Sequence, residues 1–311
     1  MAALRKVNRA LLALLASDRP RAKSLVVTMF GDAILPHGGA VWLGELIELM
    51  GPFEISERVV RSSVFRLVKD GWLEAERSGR RSLYTLTASG ARRFERAHRR
   101  IYQRPAGAWS GDWTILFMGK LRGAARSLPD GELRWEGFRA LNAATYIRPA
   151  GDSGAVNEIL DRLGCGGEVV ACSARDIEGI SGQPLRSLVN TLWDLKPVNA
   201  GYRRFIARFS PIAALATGTE LWTPGEAFGG RTLLIHEFRR VLLHDPLLPA
   251  ELLPANWLGE NAYTLCRDIY RLIHGTAEQR ILAALQQNPG ITQDAAEDFG
   301  HRFAGLSSEV L

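Results

Sequence analysis

A chain of 311 residues is too long for a single compact core and predicts two or three domains. Its three cysteines, Cys165, Cys172 and Cys266, form no Cys-x-x-Cys pair and have no histidine at zinc-finger spacing, which argues against a disulfide framework or a structural zinc site. The net charge is +6, and the expectation is a cytoplasmic protein with reduced thiols, no metal, no cofactor and no membrane segment.

At the amino end, Arg5, Lys6 and Arg9 precede an apolar run from Ala10 to Ala16 that mimics a short signal peptide. Leu4, Val7, Leu11 and Leu15 instead fit one helical face, so residues 1–20 read as an amphipathic helix or a frayed arm. Ser24 to Leu35 and Val41 to Met50 carry helical periodicity. Pro36-His37-Gly38-Gly39 breaks between them, and Gly51-Pro52 ends the second.

Residues 55–87 are the most informative. Val60, Val64, Leu67 and Val68 recur at three- and four-residue spacing and define an apolar stripe, while Arg58, Arg61, Ser62, Phe65, Arg66 and Lys69 fall on the other side. Ser56 is placed to cap this helix, Glu57 suits its dipole, and Gly71 stops it. Two short strands, Trp72 to Arg77 and Ser82 to Leu86, flank Ser78-Gly79-Arg80-Arg81, a turn whose arginines would protrude. Three helices and a hairpin are the layout of a winged helix-turn-helix, which lays its last helix in the DNA major groove. The candidate DNA-binding residues are therefore Ser56, Arg58, Arg61, Ser62, Arg66, Lys69, Arg80 and Arg81. Phe65 reads as a buried neighbour of the hairpin in preference to a contact for a thymine methyl group.

Charge is distributed to match. Residues 1–104 hold 19 Lys and Arg against 10 Asp and Glu, a surplus of nine, which leaves the rest of a +6 chain at −3. A basic third on a slightly acidic body is what phosphate neutralisation requires, and charge placed only for solubility would not segregate this way.

Ala88 to Tyr102 reads as a helix whose arginines, Arg92, Arg93, Arg96, Arg99 and Arg100, spread around it, fitting a solvated connector and a phosphate-contacting helix equally. Pro105-Ala106-Gly107 predicts a domain boundary. Beyond it, strands at Trp113 to Met118, Ala143 to Ile147 and Glu168 to Ala174 alternate with a broken helix, Leu121 to Trp135, and a helix at Val156 to Leu163, which predicts a small α+β sandwich. From Leu185 the chain reads as mainly helical, broken at Pro197, Pro211, Pro224, Pro246, Pro249 and Pro254. His236-Glu237 does not start a zinc-protease motif, since Arg240 stands where the second histidine would be. Gly164-Cys165-Gly166-Gly167 precedes a strand and so lacks the context of a nucleotide fingerprint.

Several stretches resemble the PaaX family of phenylacetate-degradation repressors. They are Glu57-Arg58-Val59-Val60-Arg61, Phe65-Arg66-Leu67, Gly71-Trp72-Leu73 and Gly79-Arg80-Arg81-Ser82-Leu83-Tyr84, then Leu234-Ile235-His236-Glu237-Phe238-Arg239-Arg240-Val241, Asp245-Pro246-Leu247-Leu248-Pro249, Leu252-Leu253-Pro254 and Asn256-Trp257. With Trp113 and Gly137-Phe138 between them, the resemblance covers about residues 20 to 275. It implies an α+β multidomain protein: an N-terminal arm (1–20), a winged helix-turn-helix (21–104), a central ferredoxin-like, Cas2-like domain that would dimerise (108–178), a mainly helical effector region (183–275) and a tail (276–311).

The Cas2 likeness raises a nuclease alternative. It lacks a carboxylate at the far end of the first middle strand, where Gly119-Lys120 stand. By resemblance the chain represses transcription as a homodimer on double-stranded operator DNA and is released by phenylacetyl-coenzyme A. An anionic thioester needs arginine forks and an apolar, aromatic-lined pocket. Tyr202, Arg203, Arg204, His236, Arg239 and Arg240 are the candidate effector residues, set against a reading in which the aromatics are core and the arginines exposed or paired. Two alternatives stay open. One is a regulator of the same family answering another aromatic or acyl-coenzyme A ligand; the other is a thioester enzyme carrying a winged module, although no Gly-x-Ser-x-Gly elbow is present.

Overall fold

The computed structural model describes residues 2–103, 108–118, 129–149, 153–162, 166–177, 184–217, 222–286 and 295–306. It is a mixed helical and sheet protein with two small antiparallel sheets. The chain divides into two compact units, neither of them one continuous segment. The first comprises Met1–Arg104, Tyr202–Arg240 and Gly259–Leu311, and the second Pro105–Gly201 and Val241–Leu258. The boundary expected at 105–107 lies outside the described residues.

In the first unit, α1 (Ala2–Ser17) buries Val7, Leu11, Leu14 and Leu15 on one face. Its last turn is fastened by Arg208, whose Nη2 donates to the Leu14 carbonyl at 2.9 Å and to Ser17 Oγ at 3.2 Å. The amino-terminal segment is thus a docked helix, with the Leu4 side chain outside the described residues. Helix α2 (Ala22–Met29) widens into a π-turn at Phe30–Ile34 and a 3-10 turn at Leu35–His37, before Gly38 and Gly39, at φ 99° and 71°, reverse the chain.

Strand β1 (Ala40–Trp42) precedes α3 (Leu43–Met50), so Val41 and Trp42 are extended where helical periodicity was expected to begin. The physical reason is tertiary: these residues pair with the hairpin, Ala40 opposite Thr85 and Trp42 opposite Leu83, and a short apolar run takes whichever state its neighbours complete. Glu45 holds the junction by accepting the Trp42 N–H at 3.2 Å.

Helix α4 (Glu57–Lys69) buries Val60, Ser63, Val64 and Leu67. Ser56 sits at its start in extended geometry, but its hydroxyl makes no capping bond, which corrects the expected cap. The other end closes as a Schellman motif, with Trp72 N–H donating to the Leu67 carbonyl and Gly71 N–H to that of Val68, made possible by φ 68° at Gly71. The hairpin of β2 (Leu73–Ser78) and β3 (Arg81–Leu86) follows, giving a sheet of order β1-β3-β2. Its two-residue turn places Gly79, at φ 60°, before Arg80, as a II′ turn demands. Helix α5 (Ala88–Tyr102) starts where Thr87 Oγ1 accepts the Gly90 N–H at 2.9 Å.

The second unit runs β4 (Trp113–Phe117), α6 (Pro129–Trp135), β5 (Arg139–Asn142), β6 (Thr145–Pro149), α7 (Ser153–Arg162), β7 (Val170–Ala174) and the single turn α8 (Val189–Leu192). The strands are antiparallel in the order β5-β6-β4-β7. Side-chain alternation covers both faces of β4. Leu116 and Met118 pack with Leu133, Phe138, Val156 and Leu160, whereas Trp113 packs with Ile147, Val189, Trp193, Leu248 and Leu252. Strand β5 was not anticipated, because Arg139–Asn142 is exposed on most of its length and shows no apolar alternation. The part of the expected broken helix before Pro129 lies outside the described residues, as do Gly119-Lys120 and Gly164-Cys165.

Helix α9 (Lys196–Ala216) gives residues to both units, as does α10 (Pro224–Leu242). Pro197 and Pro211 do not break α9 as expected. Pro197 occupies its first turn, where a missing N–H costs nothing, and Pro211 lies between Phe209 and Ile212, both buried, whose packing offsets one lost backbone bond. After the irregular stretch holding Pro246, Pro249 and Pro254 comes α11 (Gly259–Leu285), and later the short α12 (Glu297–Gly300). The residues expected as a carboxy-terminal tail are structural, for Arg302 and Phe303 are buried in the first unit. Likewise the region expected as one helical domain, 183–275, is shared between the units. Among the described residues no helix is long and apolar enough to cross a membrane.

Candidate nucleic-acid interface

At about 100° per residue, Arg58, Ser62, Phe65 and Lys69 share an arc of about 60° on α4, with Arg61 on one border and Arg66 on the other. The buried residues lie opposite, which leaves this arc to solvent. Arg58 and Arg66 form no salt bridge among the described residues. Arg61 differs, because its Nε donates to Glu57 Oε1 at 2.8 Å and its Nη2 to the same oxygen. Ser62 Oγ is turned back to the Val59 carbonyl at 3.0 Å. Phe65, expected to be buried, is 68% exposed, and Val59 beside this face is 43% exposed. The stripe spacing that placed Phe65 outside was right, and no part of the hairpin covers it.

At the hairpin tip the two arginines part ways. Arg80 occupies the turn itself and is exposed. Arg81 is exposed over about half its side chain but laid against the sheet: its guanidinium stacks over the Trp42 ring at 4.3 Å and lies 3.7 Å from Glu45. Arg93 of α5 similarly covers Trp72 at 4.9 Å, so at least one of the helix's arginines is committed to packing.

The effector candidates all lie in the first unit but do not converge on one cavity. Tyr202 is buried, with Arg203 and Arg204 exposed beside it. His236 is buried against Thr28, its Nδ1 2.9 Å from the Thr28 hydroxyl, and burial together with Arg239 and Arg240 pushes its pKa down to about 3. Arg240 is held by Asp18 at 2.8 Å and Glu237 at 3.1 Å. Arg239 has no carboxylate partner among the described residues. It touches Ser24 Oγ at 3.1 Å, its Nε has no hydrogen-bond partner, and burial lowers its pKa to about 10. It also lines a small cavity of about 20 Å³, partly open to solvent, with Phe94, His98, Ile101 and Tyr102.

The most elaborate polar cluster was missed. Asp32, in the π-turn, accepts four bonds on its carboxylate: from Tyr102 at 2.7 Å, Tyr270 at 3.0 Å, Arg302 at 3.0 Å and Arg231 at 2.8 Å. Its backbone carbonyl accepts two more from the same arginines. Arg231 is 0% and Arg302 1% exposed. Arg231 also pairs with Glu278, which in turn meets His37 at 2.6 Å. Burial raises the pKa of the Glu278 carboxyl, but Arg231 and His37 outweigh it and hold the carboxyl down to about 2. Two guanidiniums against two carboxylates form a closed set, so this cluster ties α2, α5, α10, α11 and the carboxy-terminal residues together and offers no free charge to a ligand. The signal available in the sequence was a charge within an apolar stretch, Asp32 in Phe30-Gly31-Asp32-Ala33-Ile34 and Arg231 before Thr232-Leu233-Leu234.

In the second unit Asp112, the carboxylate nearest the first strand, is held by Arg175 and Ser110, which keep its pKa below the usual range. Among the described residues no three of His, Cys, Asp and Glu gather as a metal-binding set.

Two family models match the chain, PaaX-like protein over residues 21–90 and PaaX-like protein C-terminal domain over residues 193–283. A solved structure, the uncharacterized protein Rv0674 from Mycobacterium tuberculosis, aligns with 78% of this chain and 90% of its own at 24% identity and a TM-score of 0.45. The transcriptional repressor PaaX of Escherichia coli (strain K12) is 36% identical over 287 residues, 92% of this chain and 91% of that protein. On these matches the chain belongs to the PaaX family.

Proposed function

We propose that this protein is a DNA-binding transcriptional repressor of phenylacetate catabolic genes, released from its operator by phenylacetyl-coenzyme A. The observation that carries the reading is the outer face of α4, where Arg58, Arg66 and Lys69 stand exposed opposite the core, with Arg80 exposed at the hairpin tip. The order of helices and strands over residues 22–86 supports a winged helix, with α4 in the major groove and the hairpin as the wing. The β-α-β-β-α-β order of β4 to β7, with β4 and β6 central, supports a ferredoxin-like fold for the middle segment. A repressor relative at 36% identity supports repression.

As a homodimer, the protein would present two such helices to half-sites about 34 Å apart on a palindromic operator. An effector then needs only to bind the wrongly spaced arrangement more tightly, lowering operator affinity by its differential free energy, about 1 to 3 kcal/mol. Arg239 supports an effector role within the first unit, since a buried cation without a carboxylate partner among the described residues suits an anionic group; the cavity beside it, about 20 Å³, would have to widen to admit a thioester. The larger cavity near Ile206 and Ser210 suits it less, because Glu260 and Asp268 line it.

Titration of phenylacetyl-coenzyme A into the protein bound to promoter DNA from its own gene neighbourhood tests the reading, with free phenylacetate and coenzyme A as controls. Release by the intact thioester alone is expected. Release by none of the three overturns the effector assignment and leaves DNA binding in place; thioester hydrolysis marks an enzyme.

A further inference from the structure

We propose that Phe65 is a specificity determinant, its ring packing against the 5-methyl group of a thymine in the major groove. The inference rests on the DNA-binding reading above and names a contact within that surface. Single exposed apolar residues are ordinary on protein surfaces, and what sets Phe65 apart is its position. It lies 68% exposed on the face opposite Val60, Val64 and Leu67, with Arg58, Ser62 and Lys69 on the same arc and Arg61 and Arg66 on its borders. A ring so surrounded by cations is unsuited to another protein's apolar face, because docking there would strip water from Arg58, Arg66 and Lys69, three charges with no salt bridge among the described residues. DNA supplies the partners and one apolar target together. Phosphates neutralise the arginines and lysine, and the thymine methyl is the apolar group on the major-groove base edges.

The polar side chains nearest the ring contribute less to base reading than their types suggest. Ser62 Oγ is spent on the Val59 carbonyl and Arg61 is held by Glu57. On this face Phe65 is then the most exposed apolar side chain, free to distinguish A·T from other pairs by something other than charge.

The test uses a duplex that the full-length protein selects from a random-sequence pool, rebuilt with deoxyuridine at each thymidine in turn. Uracil keeps every hydrogen-bonding group and lacks only the methyl. The wild-type protein is expected to bind about fourfold more weakly for each contacted methyl removed, the fold-change of burying one such carbon. Phe65→Ala is expected to bind thymine and uracil duplexes alike, and Phe65→Leu to keep part of the difference. Equal sensitivity of wild type and Phe65→Ala would assign the methyl contact to another residue and overturn the proposal, as would a wild-type protein indifferent to uracil at every position. A change in the free protein's sedimentation with Phe65→Ala, with uracil sensitivity intact, would show that the ring joins two copies of the chain. Failure of the wild-type protein to select any duplex overturns the DNA reading itself.

Discussion

Asp32 shows how much one buried side chain can be asked to do. Its carboxylate is the shared acceptor for two guanidiniums and two phenols, and neither arginine has solvent to fall back on. Asp32→Asn keeps the shape but removes the charge, leaving Arg231 and Arg302 buried against Glu278 alone. The expected loss is about 3 to 5 kcal/mol of unfolding free energy, read from urea denaturation of the full chain. A loss under about 1 kcal/mol would mean that water reaches the site. At the proposed interface the two border arginines of α4 are expected to differ. Arg66→Ala should cost about 1 to 3 kcal/mol of preference for a selected duplex over random DNA, and Arg61→Ala clearly less, because Glu57 already holds that guanidinium. Competition binding ranks them, and equal losses would show that DNA pulls Arg61 away from Glu57.

Among elements, those set by local chemistry were legible and those set by partners were not. Helix α4 could be read because its stripe, its Gly71 stop and the Gly79 turn all act within a few residues. Strand β1 could not, since its pairing with β3 reaches 45 residues along the chain, nor could the hydroxyl of Ser56, which stands in the right place without bonding. The hairpin and its exposed Arg80 were legible, and Arg81 was misjudged for the same reason: Trp42, from β1, captures it. That difference predicts separate phenotypes. Arg80→Ala should lower the salt dependence of DNA binding by about one ion, measured as the slope of log affinity against log salt concentration. Arg81→Ala should leave that slope near the wild-type value and lower thermal stability instead. Identical slopes for Arg80→Ala and wild type would remove the hairpin tip from the interface.

At the scale of the whole molecule, no window along the sequence could have revealed the units, because each is assembled from separated stretches. The clearest sign lies in the Asp32 cluster, whose partners stand 70, 199, 238 and 270 residues away. Two histidines of the first unit make its stability depend on pH. Burial and the nearby arginines push His98 down to about 4 and His236 down to about 3, so the folded chain keeps both neutral. Unfolded, they protonate below about pH 6.5, so the unfolded state binds more protons and stability falls as pH drops from there. Each histidine contributes a slope of up to about 1.4 kcal/mol per pH unit between its two pKa values. Glu278 adds to the decline only between about 4.5 and 2, where its stabilised carboxylate is lost. Melting temperatures measured from pH 7 to pH 5 should fall steadily, and a flat profile would show that both rings are charged in the folded chain.

The position of Arg302 also sets an order of events during synthesis. Asp32 and Arg231 emerge from the ribosome long before their second guanidinium exists, and Tyr270, which also donates to Asp32, emerges only 32 residues ahead of Arg302. A nascent chain halted before Arg302 should leave residues 21–104 open to protease, and the same segment should become resistant once translation has passed it. The proposed DNA-binding surface would then mature only once Arg302 has been translated, so a product truncated before it is expected to lose that surface together with its fold.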